Sequence, residues 1–221
     1  PRKVGKEEAD FIRYEFFEGK TPKYVSEQLK IFKSFCLQAG NKDMAKYDTS
    51  FGNVPPTNVR WLTQEEAYAL RDNARGIERM VIHLELDLGL RRCEVIRMGL
   101  SCLKPGSILI HGKGRNGGKW RKINWHPETA RILDEYVSQH REKEIAKAKR
   151  KDPKAKVPDN LLIYERNGKL HHYKKTAIDN MVKSAGARAG IYKVSNHDLR
   201  RTCGRLMYQA GVQIEVIAKI F

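Results

Sequence analysis

Apolar residues recur at spacings of three and four along much of the chain, and this period predicts amphipathic helices packed on a core. The most regular stripe comprises Ile77, Met80, Val81, Leu84 and Leu88. Similar stripes predict helices from about 127 to 149, from 171 and from 196, with these apolar positions on their inner faces: Ile132, Leu133, Tyr136, Val137, Ile178, Met181, Val182, Ala185, Cys203, Leu206, Met207 and Ala210. Between the first two of these helices, the charged residues 141–156 predict a solvated helix end and loop.

The N-terminal segment shows a helical period of its own. Thr21 and Pro22 predict a helix start, with the threonine as cap and the proline at the first helical position. Residues 51–59 carry Gly, Asn and a Pro-Pro pair without periodicity, as a linker does. We therefore expect two segments, 1–58 and 59–221, of which the first is either a helical appendage or part of a larger domain.

The period shortens to alternation after residue 106, which predicts strands. Ser107–His111 and Lys119–Trp125 flank a basic turn rich in glycine, and this arrangement predicts a hairpin. Leu161–Tyr164 predicts one more short extended segment, followed by a turn. The predicted fold class is mainly α with a small antiparallel β-sheet.

The hairpin turn contains a lysine, Lys113, between Gly112 and Gly114. Glycines let the backbone bend tightly there, so the ammonium group can reach a ligand. The simpler interpretation is a solvated turn lysine. A nucleotide-binding P-loop is excluded because the turn lacks the G-x-x-x-x-G-K-[ST] pattern.

Two further places suggest anion chemistry. His197 and Arg200 stand three residues apart at a predicted helix start, on one helical face, where the backbone N–H groups and the helix dipole favour a phosphate. Arg91 follows Gly89 at a junction between two apolar runs, where a charge needs a partner. A simple ion pair with Glu94, three residues on, is one explanation.

Composition narrows the class of partner. The 221 residues include 43 Lys and Arg against 26 Asp and Glu, a net charge of +17, which favours nucleic acid over a membrane surface. We see neither a signal peptide nor a run of about 20 apolar residues. The four cysteines form no C-x-x-C pair, and adjacent His171 and His172 point apart, so neither a disulfide framework nor a zinc site is indicated. We expect reduced cysteines in a cytoplasmic protein.

Three motifs occur in a fixed order. They are Gly89-Leu90-Arg91-x-x-Glu94, then Gly112-Lys113-Gly114 in the predicted hairpin, and then His197-x-x-Arg200. With these motifs in register, residues 60–221 resemble the catalytic domain of the tyrosine recombinases, also called the phage integrase family. The N-terminal segment resembles part of the helical core-binding domain of that family and is too short to be all of it. The resemblance implies a tyrosine-recombinase-like catalytic domain preceded by a short helical segment.

The resemblance implies cleavage and rejoining of double-stranded DNA through a 3′-phosphotyrosine, without metal or nucleotide cofactor. Arg91 and Arg200 would hold the non-bridging oxygens of the scissile phosphate. His197 would manage a proton at the phosphate, Lys113 would protonate the departing 5′ oxygen, and Glu94 would support the arginines. Further DNA contacts, to phosphates before bases, are expected from the basic residues nearest the site, namely Arg115, Lys119, Arg121, Lys122, Lys174, Lys175 and Arg201.

The same resemblance implies a specific recombination site as DNA partner, a homotetrameric synapse and a cytoplasmic, nucleoid-associated location. It also implies a nucleophilic tyrosine about 30 residues after the second arginine. Only 21 residues follow Arg200, and no tyrosine holds the matching position. Tyr208 lies in a helix used for packing and is interpreted as structural. We expect a chain that binds DNA without cleaving it, whether the tyrosine is truncated, omitted or supplied by a neighbouring molecule.

Rival functions remain open from the sequence. A type IB topoisomerase shares the same chemical constellation and relaxes DNA without exchanging partners. A noncatalytic basic DNA-binding protein accounts for the charge of +17 but not for the arginine spacing. A ribosomal or RNA-binding role predicts salt-sensitive binding to RNA at least as tight as to duplex DNA.

Overall fold

The structure is a computed structural model that describes residues 1–52, 59–112 and 118–221. Contacts divide the chain into two compact units, Pro1–Asn58 and Val59–Phe221. Helices dominate and the sheets are small and antiparallel, which confirms the predicted fold class.

The first unit is helical, as the period of its sequence predicted. Helix α1 (Lys6–Phe11) runs into a π-helical turn, and α2 (Pro22–Gln38) follows. Thr21 caps α2 by accepting a hydrogen bond from the backbone of Tyr24, as the sequence predicted. The core of this unit is small and centres on the following buried residues: Ala9, Cys36 and Met44.

The second unit is built on a buried helix. Its helices are α3 (Gln64–Asn73), α4 (Ile77–Leu86), α5 (Arg92–Arg97), α6 (Pro127–Glu135), α7 (Glu142–Lys151), α8 (Lys175–Arg188), α9 (Asn196–Gln209) and α10 (Ile214–Ile220). Helix α4 packs against α3, α6, α8 and α9. The predicted apolar stripe of α4 is confirmed, but its polar residues His83 and Glu85 are buried as well. The apolar stripe indicated one core-facing side of α4, whereas neighbouring helices cover α4 on several sides.

The predicted hairpin belongs to a three-stranded antiparallel sheet in the order β1 (Leu103–Lys104), β2 (Ser107–His111), β3 (Trp120–Asn124). His111 pairs with Trp120 at the end of the hairpin next to the turn, and most of the predicted turn lies outside the described residues. Strands β4 (Ile163–Arg166) and β5 (Lys169–His172) form a second, two-stranded sheet. Asn167 and Gly168 form the turn between them, with positive φ angles of 55° and 79°.

Two predicted boundaries were wrong. His171 and His172 lie in β5, and the helix predicted from residue 171 begins at Lys175, because β5 carries almost no apolar alternation to reveal a strand. The solvated end predicted from residue 141 is instead anchored, since Arg141 is 3% exposed and donates to the backbone carbonyls of Pro158 and Asn160. A π-helical turn over Tyr136–Arg141 brings this side chain inward.

Two predicted packing positions on α9 are also wrong. Ala210 is exposed, and Tyr208 is 65% exposed, because the end of this helix extends past the core. Across the described residues, no helix is long and apolar enough to cross a membrane.

Candidate functional site

The turn between α4 and α5 sets the position of Arg91. Leu90 donates its backbone N–H to Leu84 and closes the end of α4, while Gly89 adopts a positive φ of 61°. A side chain at position 89 would also collide with the Phe221 ring, since a Cβ would lie 2.6 Å from its Cζ atom. Arg91 is therefore fixed at the N-terminal cap of α5, and its backbone N–H donates to Glu94 Oε2 at 2.8 Å.

Glu94 is the anionic centre of an arginine cluster. Its side chain is 0% exposed and accepts from Arg91 Nη1 at 3.0 Å. Arg121, on β3, donates Nη1 to Oε1 at 2.8 Å and Nη2 to Oε2 at 2.7 Å. Burial alone would raise the pKa of Glu94, but these hydrogen bonds outweigh it and lower that pKa to about 2. The carboxylate is charged at any physiological pH.

Arg200 approaches the same cluster from α9. It is 6% exposed, and its Nη1 lies 4.0 Å from Glu94 Oε2. Its guanidinium donates to the carbonyl of Gly89 and stacks on the ring of Phe221, with 4.4 Å between Cζ and the ring centroid. Burial and then the charge of Arg91 lower the pKa of Arg200 to about 10, so it stays protonated at neutral pH.

Arg91 and Arg200 converge on a single acceptor. The carbonyl oxygen of Phe221 accepts from Arg91 Nη2 at 2.7 Å and from Arg200 Nη2 at 2.5 Å. Two guanidinium groups that share one oxygen form a ready position for an anionic oxygen, because each hydrogen bond strengthens with the negative charge of its acceptor. The side chain of Arg91 is 38% exposed, so it is accessible to a ligand from solvent.

The start of α9 carries His197. Ser195 caps the helix in a reciprocal box with Asp198, and the sequence interpretation had missed this cap although its spacing was visible. His197 itself is exposed. Burial of part of the ring and the cations Arg201 and Arg200 lower the pKa of His197 below its ordinary value of 6.5. A neutral imidazole therefore predominates at neutral pH.

A basic cavity of about 540 Å³ opens beside these groups. Arg91, His197 and Arg200 line it together with three further cations, Arg92, Lys175 and Lys183. Lys183 was not predicted, although its distance of eight residues from Lys175 places both on one helical face. Two residues that line the cavity are bound by a single carboxylate, since Asp179 accepts from Arg92 at 2.6 Å and from Asn196 at 2.5 Å.

The other predicted residues are distributed less closely. Lys113 and Arg115 lie outside the described residues, so their roles stay predictions. Lys119, Lys122 and Lys174 are exposed, and Arg201 lies 3.7 Å from Asp198. Arg121, predicted to contact DNA, points into the cluster instead of away from it.

Among the described residues, neither Arg91 nor Arg200 hydrogen-bonds to a tyrosine near the motif. Tyr192 and Tyr208 are 73% and 65% exposed. Burial raises the pKa of Tyr173 to about 12, which weakens it as a nucleophile. Within residues 1–52, 59–112 and 118–221, no group of three His, Cys, Asp or Glu side chains could hold a metal ion.

The sequence model of the phage integrase family matches residues 60–221, which include the whole arginine cluster. The chain belongs to the phage integrase family. It is 26% identical over 212 residues to tyrosine recombinase XerC of Caldanaerobacter subterraneus subsp. tengcongensis. That match covers 90% of this chain and 56% of the relative, so the chain spans little more than half of the relative's length.

Solved structures of recombinases share the fold of this member of the family. The XerH site-specific recombinase bound to its difH substrate, in a pre-cleavage complex, matches with a TM-score of 0.69 at 17% identity over 100% of this chain and 64% of that one. The lambda integrase bound to DNA matches with a TM-score of 0.65 at 15% identity over 97% and 75% of the two chains. At these identities the likeness concerns the fold alone.

Proposed function

We propose that this phage integrase family chain belongs to a site-specific DNA recombinase that cleaves and rejoins double-stranded DNA through a 3′-phosphotyrosine intermediate. The observation that carries the proposal is that Arg91 and Arg200 line one basic cavity with His197 and lie 3.0 and 4.0 Å from the same carboxylate, that of Glu94. In this function their terminal nitrogens bind the non-bridging oxygens of the scissile phosphate. The family of the chain, the basic cavity and the DNA-bound relatives of the same fold support a DNA substrate.

The arginines suit the transition state of phosphoryl transfer. The phosphorus gains a fifth ligand, and negative charge accumulates on its non-bridging oxygens. Guanidinium groups already fixed by Glu94 and Gly89 stabilise that charge without reorganising, which is the main source of electrostatic catalysis. Lysine lacks the planar fork and would hold the phosphate in a less defined geometry.

Proton transfers fall to His197 and Lys113 in this proposal. His197, with its lowered pKa, exchanges a proton or donates a hydrogen bond at the phosphate. Lys113 protonates the leaving 5′ oxygen, and Glu94 holds the arginines in place. The reaction uses neither a metal ion nor a nucleotide cofactor.

The remaining parts of the proposal concern the assembly. The attacking tyrosine comes from outside residues 1–221, so this chain binds DNA without cleaving it. Four copies of the protein form a synapse on two recombination sites, in the cytoplasm at the nucleoid. The first unit, Pro1–Asn58, contributes part of a DNA-binding domain. The exposed cations Lys119, Lys122 and Lys174 contact phosphates.

Selection from a randomised duplex library tests the DNA function. The 221-residue chain should enrich one sequence, and its affinity should fall steeply as salt rises, since each neutralised phosphate releases counterions. Binding to RNA as tight as to the selected duplex would contradict the proposal. Equal recovery of all duplex sequences from the library would contradict site specificity.

A suicide duplex tests the chemistry. The protein extended to include the proposed tyrosine should form a covalent adduct with a nicked duplex of the selected sequence, and Arg91→Ala or Arg200→Ala should slow this about 10²- to 10³-fold. Arg205→Ala, on the same helix but stacked on Trp61, is the matched control. An adduct with the 221-residue chain would place the tyrosine within it. If the extended protein forms no adduct, noncatalytic DNA binding becomes the favoured function. If it relaxes supercoiled DNA without pairing two sites, the protein is a topoisomerase.

A further inference from the structure

Arg91 and Arg121 share Glu94 unequally. Arg121 makes two hydrogen bonds, one to each carboxylate oxygen, at 2.8 and 2.7 Å. The side chain of Arg91 makes one, at 3.0 Å, and directs its other terminal nitrogen to the Phe221 carbonyl. The Arg121 side chain is 14% exposed and that of Arg91 is 38% exposed. Arg121 is therefore the more buried and more completely engaged partner.

This difference decides which arginine balances the charge of Glu94. A buried carboxylate needs a partner, and a two-fold arginine contact at low exposure is the strongest kind available. Arg91, more exposed and bound through one nitrogen, is the weaker partner. With Arg121 in place, Glu94 is neutralised without the charge of Arg91, which remains available to a ligand.

We propose that Arg121 is a positioning residue that neutralises Glu94 and thereby leaves the outer face of Arg91 available to the scissile phosphate. The inference rests on the proposed function. It differs from the sequence prediction that Arg121 itself contacts a DNA phosphate, because both of its terminal nitrogens are occupied by Glu94. Without Arg121, the uncompensated carboxylate would draw in both terminal nitrogens of Arg91 and turn it away from the shared oxygen.

The neighbouring strand supports this arrangement. Gly112, at the end of β2, is buried against the pair, and a Cβ there would lie 3.1 Å from Arg121 Nη1 and 3.6 Å from Glu94 Oε1. A Cβ at this distance would force the guanidinium to shift by a few tenths of an ångström against the carboxylate. Gly112→Ala therefore disturbs the same contact without changing any charge.

Rescue by a second substitution separates positioning from direct contact. In the 221-residue chain, Arg91→Ala should weaken binding to the selected duplex about tenfold or more in the wild-type background. In the Arg121→Gln background the same change should have less than about a threefold effect, because Arg91 has already been drawn to Glu94. Adding Glu94→Gln removes the charge that draws it, so the double variant Arg121→Gln/Glu94→Gln should recover most of the lost affinity and the dependence on Arg91.

The salt dependence of DNA affinity shows whether Arg121 contacts a phosphate directly. If Arg121 contacts a phosphate, Arg121→Gln should lower the slope of log affinity against log salt by about one, and Glu94→Gln should not restore it. That pair of results would overturn the inference. Arg131 and Glu135 form an exposed arginine–glutamate pair at 3.6 Å, and the same cycle of substitutions there should show no rescue.

Folding controls keep the inference testable. Arg121→Lys retains the charge with a single bonding group and should give an intermediate loss if Arg121→Gln proves unstable. Urea unfolding of the Arg121 and Glu94 variants should show coupling of the two substitutions even without DNA, and its absence would contradict the inference. If the wild-type chain binds no duplex, the proposed function fails, while this coupling still decides whether Arg121 neutralises Glu94.

Discussion

The guanidinium of Arg200 lies over the ring of Phe221, with 4.4 Å between its Cζ atom and the ring centroid. The ring follows directly after α10, so the contact links α10 to α9 through the arginine cluster. We expect Phe221→Ala to lower the free energy of unfolding by about 1–2 kcal/mol, from lost packing and lost cation–π attraction. Urea unfolding measures this. Ile214→Ala, at a 62% exposed position of the same helix, should stay within about 0.5 kcal/mol of the wild type.

Glu94 should make stability sensitive to acid. Its pKa lies at about 2 in the folded chain, below the ordinary 4.5, so the stabilisation is present above pH 4.5 and is lost as pH falls through 2. Over this range the unfolding free energy of the wild type should fall more steeply than that of Glu94→Gln, by up to about 1.4 kcal/mol per pH unit. Parallel curves for the two proteins would show that Glu94 is not held as an anion.

Glu85 should act in the opposite sense. It is 0% exposed, and within the described residues neither of its carboxylate oxygens has a hydrogen-bond partner. Burial and then Asp179 raise its pKa well above 4.5, with Arg92 opposing. Because the unfolded chain ionises more readily, stability should fall as pH rises above 4.5 until the folded group also ionises. Glu85→Gln should remove this decline, and an unchanged pH profile in that variant would contradict the assignment.

Asp179 should stabilise the fold and weaken binding to DNA. It binds Arg92 and Asn196, which line the cavity with it, and Asp179→Asn breaks an ion pair and removes one negative charge from the cavity. We expect the unfolding free energy to fall by about 1–3 kcal/mol and nonspecific DNA affinity to rise. Fluorescence anisotropy with an unselected duplex measures the second effect. Glu142→Asn makes the same change in charge at an exposed position of α7, and should move neither quantity as far.

Arginine geometry should matter more than charge at position 200. Arg200→Lys keeps the charge, but a compact ammonium group lacks the planar fork whose two terminal nitrogens reach the Gly89 carbonyl and the phosphate position separately. The rate of adduct formation by the extended protein should fall at least about tenfold, with a smaller change in DNA affinity. Arg205→Lys on the same helix should remain within about threefold. Equal losses of rate and affinity would indicate that Arg200 only binds.

Local signals predicted the boundaries that depend on neighbouring residues. Thr21 caps α2 at the predicted start, and Gly89, at the predicted junction before Arg91, has the positive φ that a helix end favours. The hairpin strands pair as the alternation indicated. These features depend on residues that lie close together in the chain, so they can be predicted from a single sequence.

Features that depend on distant residues were not predictable in the same way. Arg141 is buried because carbonyls from about 20 residues away complete its hydrogen bonds, and Phe221 reaches Arg91 across 130 residues. Arg121 left a usable signal. It is two residues from buried Ile123 and so shares the inner face of β3, which favours a role inside the cluster.

The positive φ of Gly89 and the Phe221 ring pressed against it have a practical meaning for protein engineering. A methyl group at this position would force the Phe221 ring to move, and the left-handed backbone disfavours nearly every residue that has a side chain. Position 89 therefore offers no graded series of variants through which activity could be tuned. Libraries of variants should keep position 89 constant and vary the exposed cations Lys119, Lys122 and Lys174, where we expect changes in affinity for a polyanion more than in sequence preference.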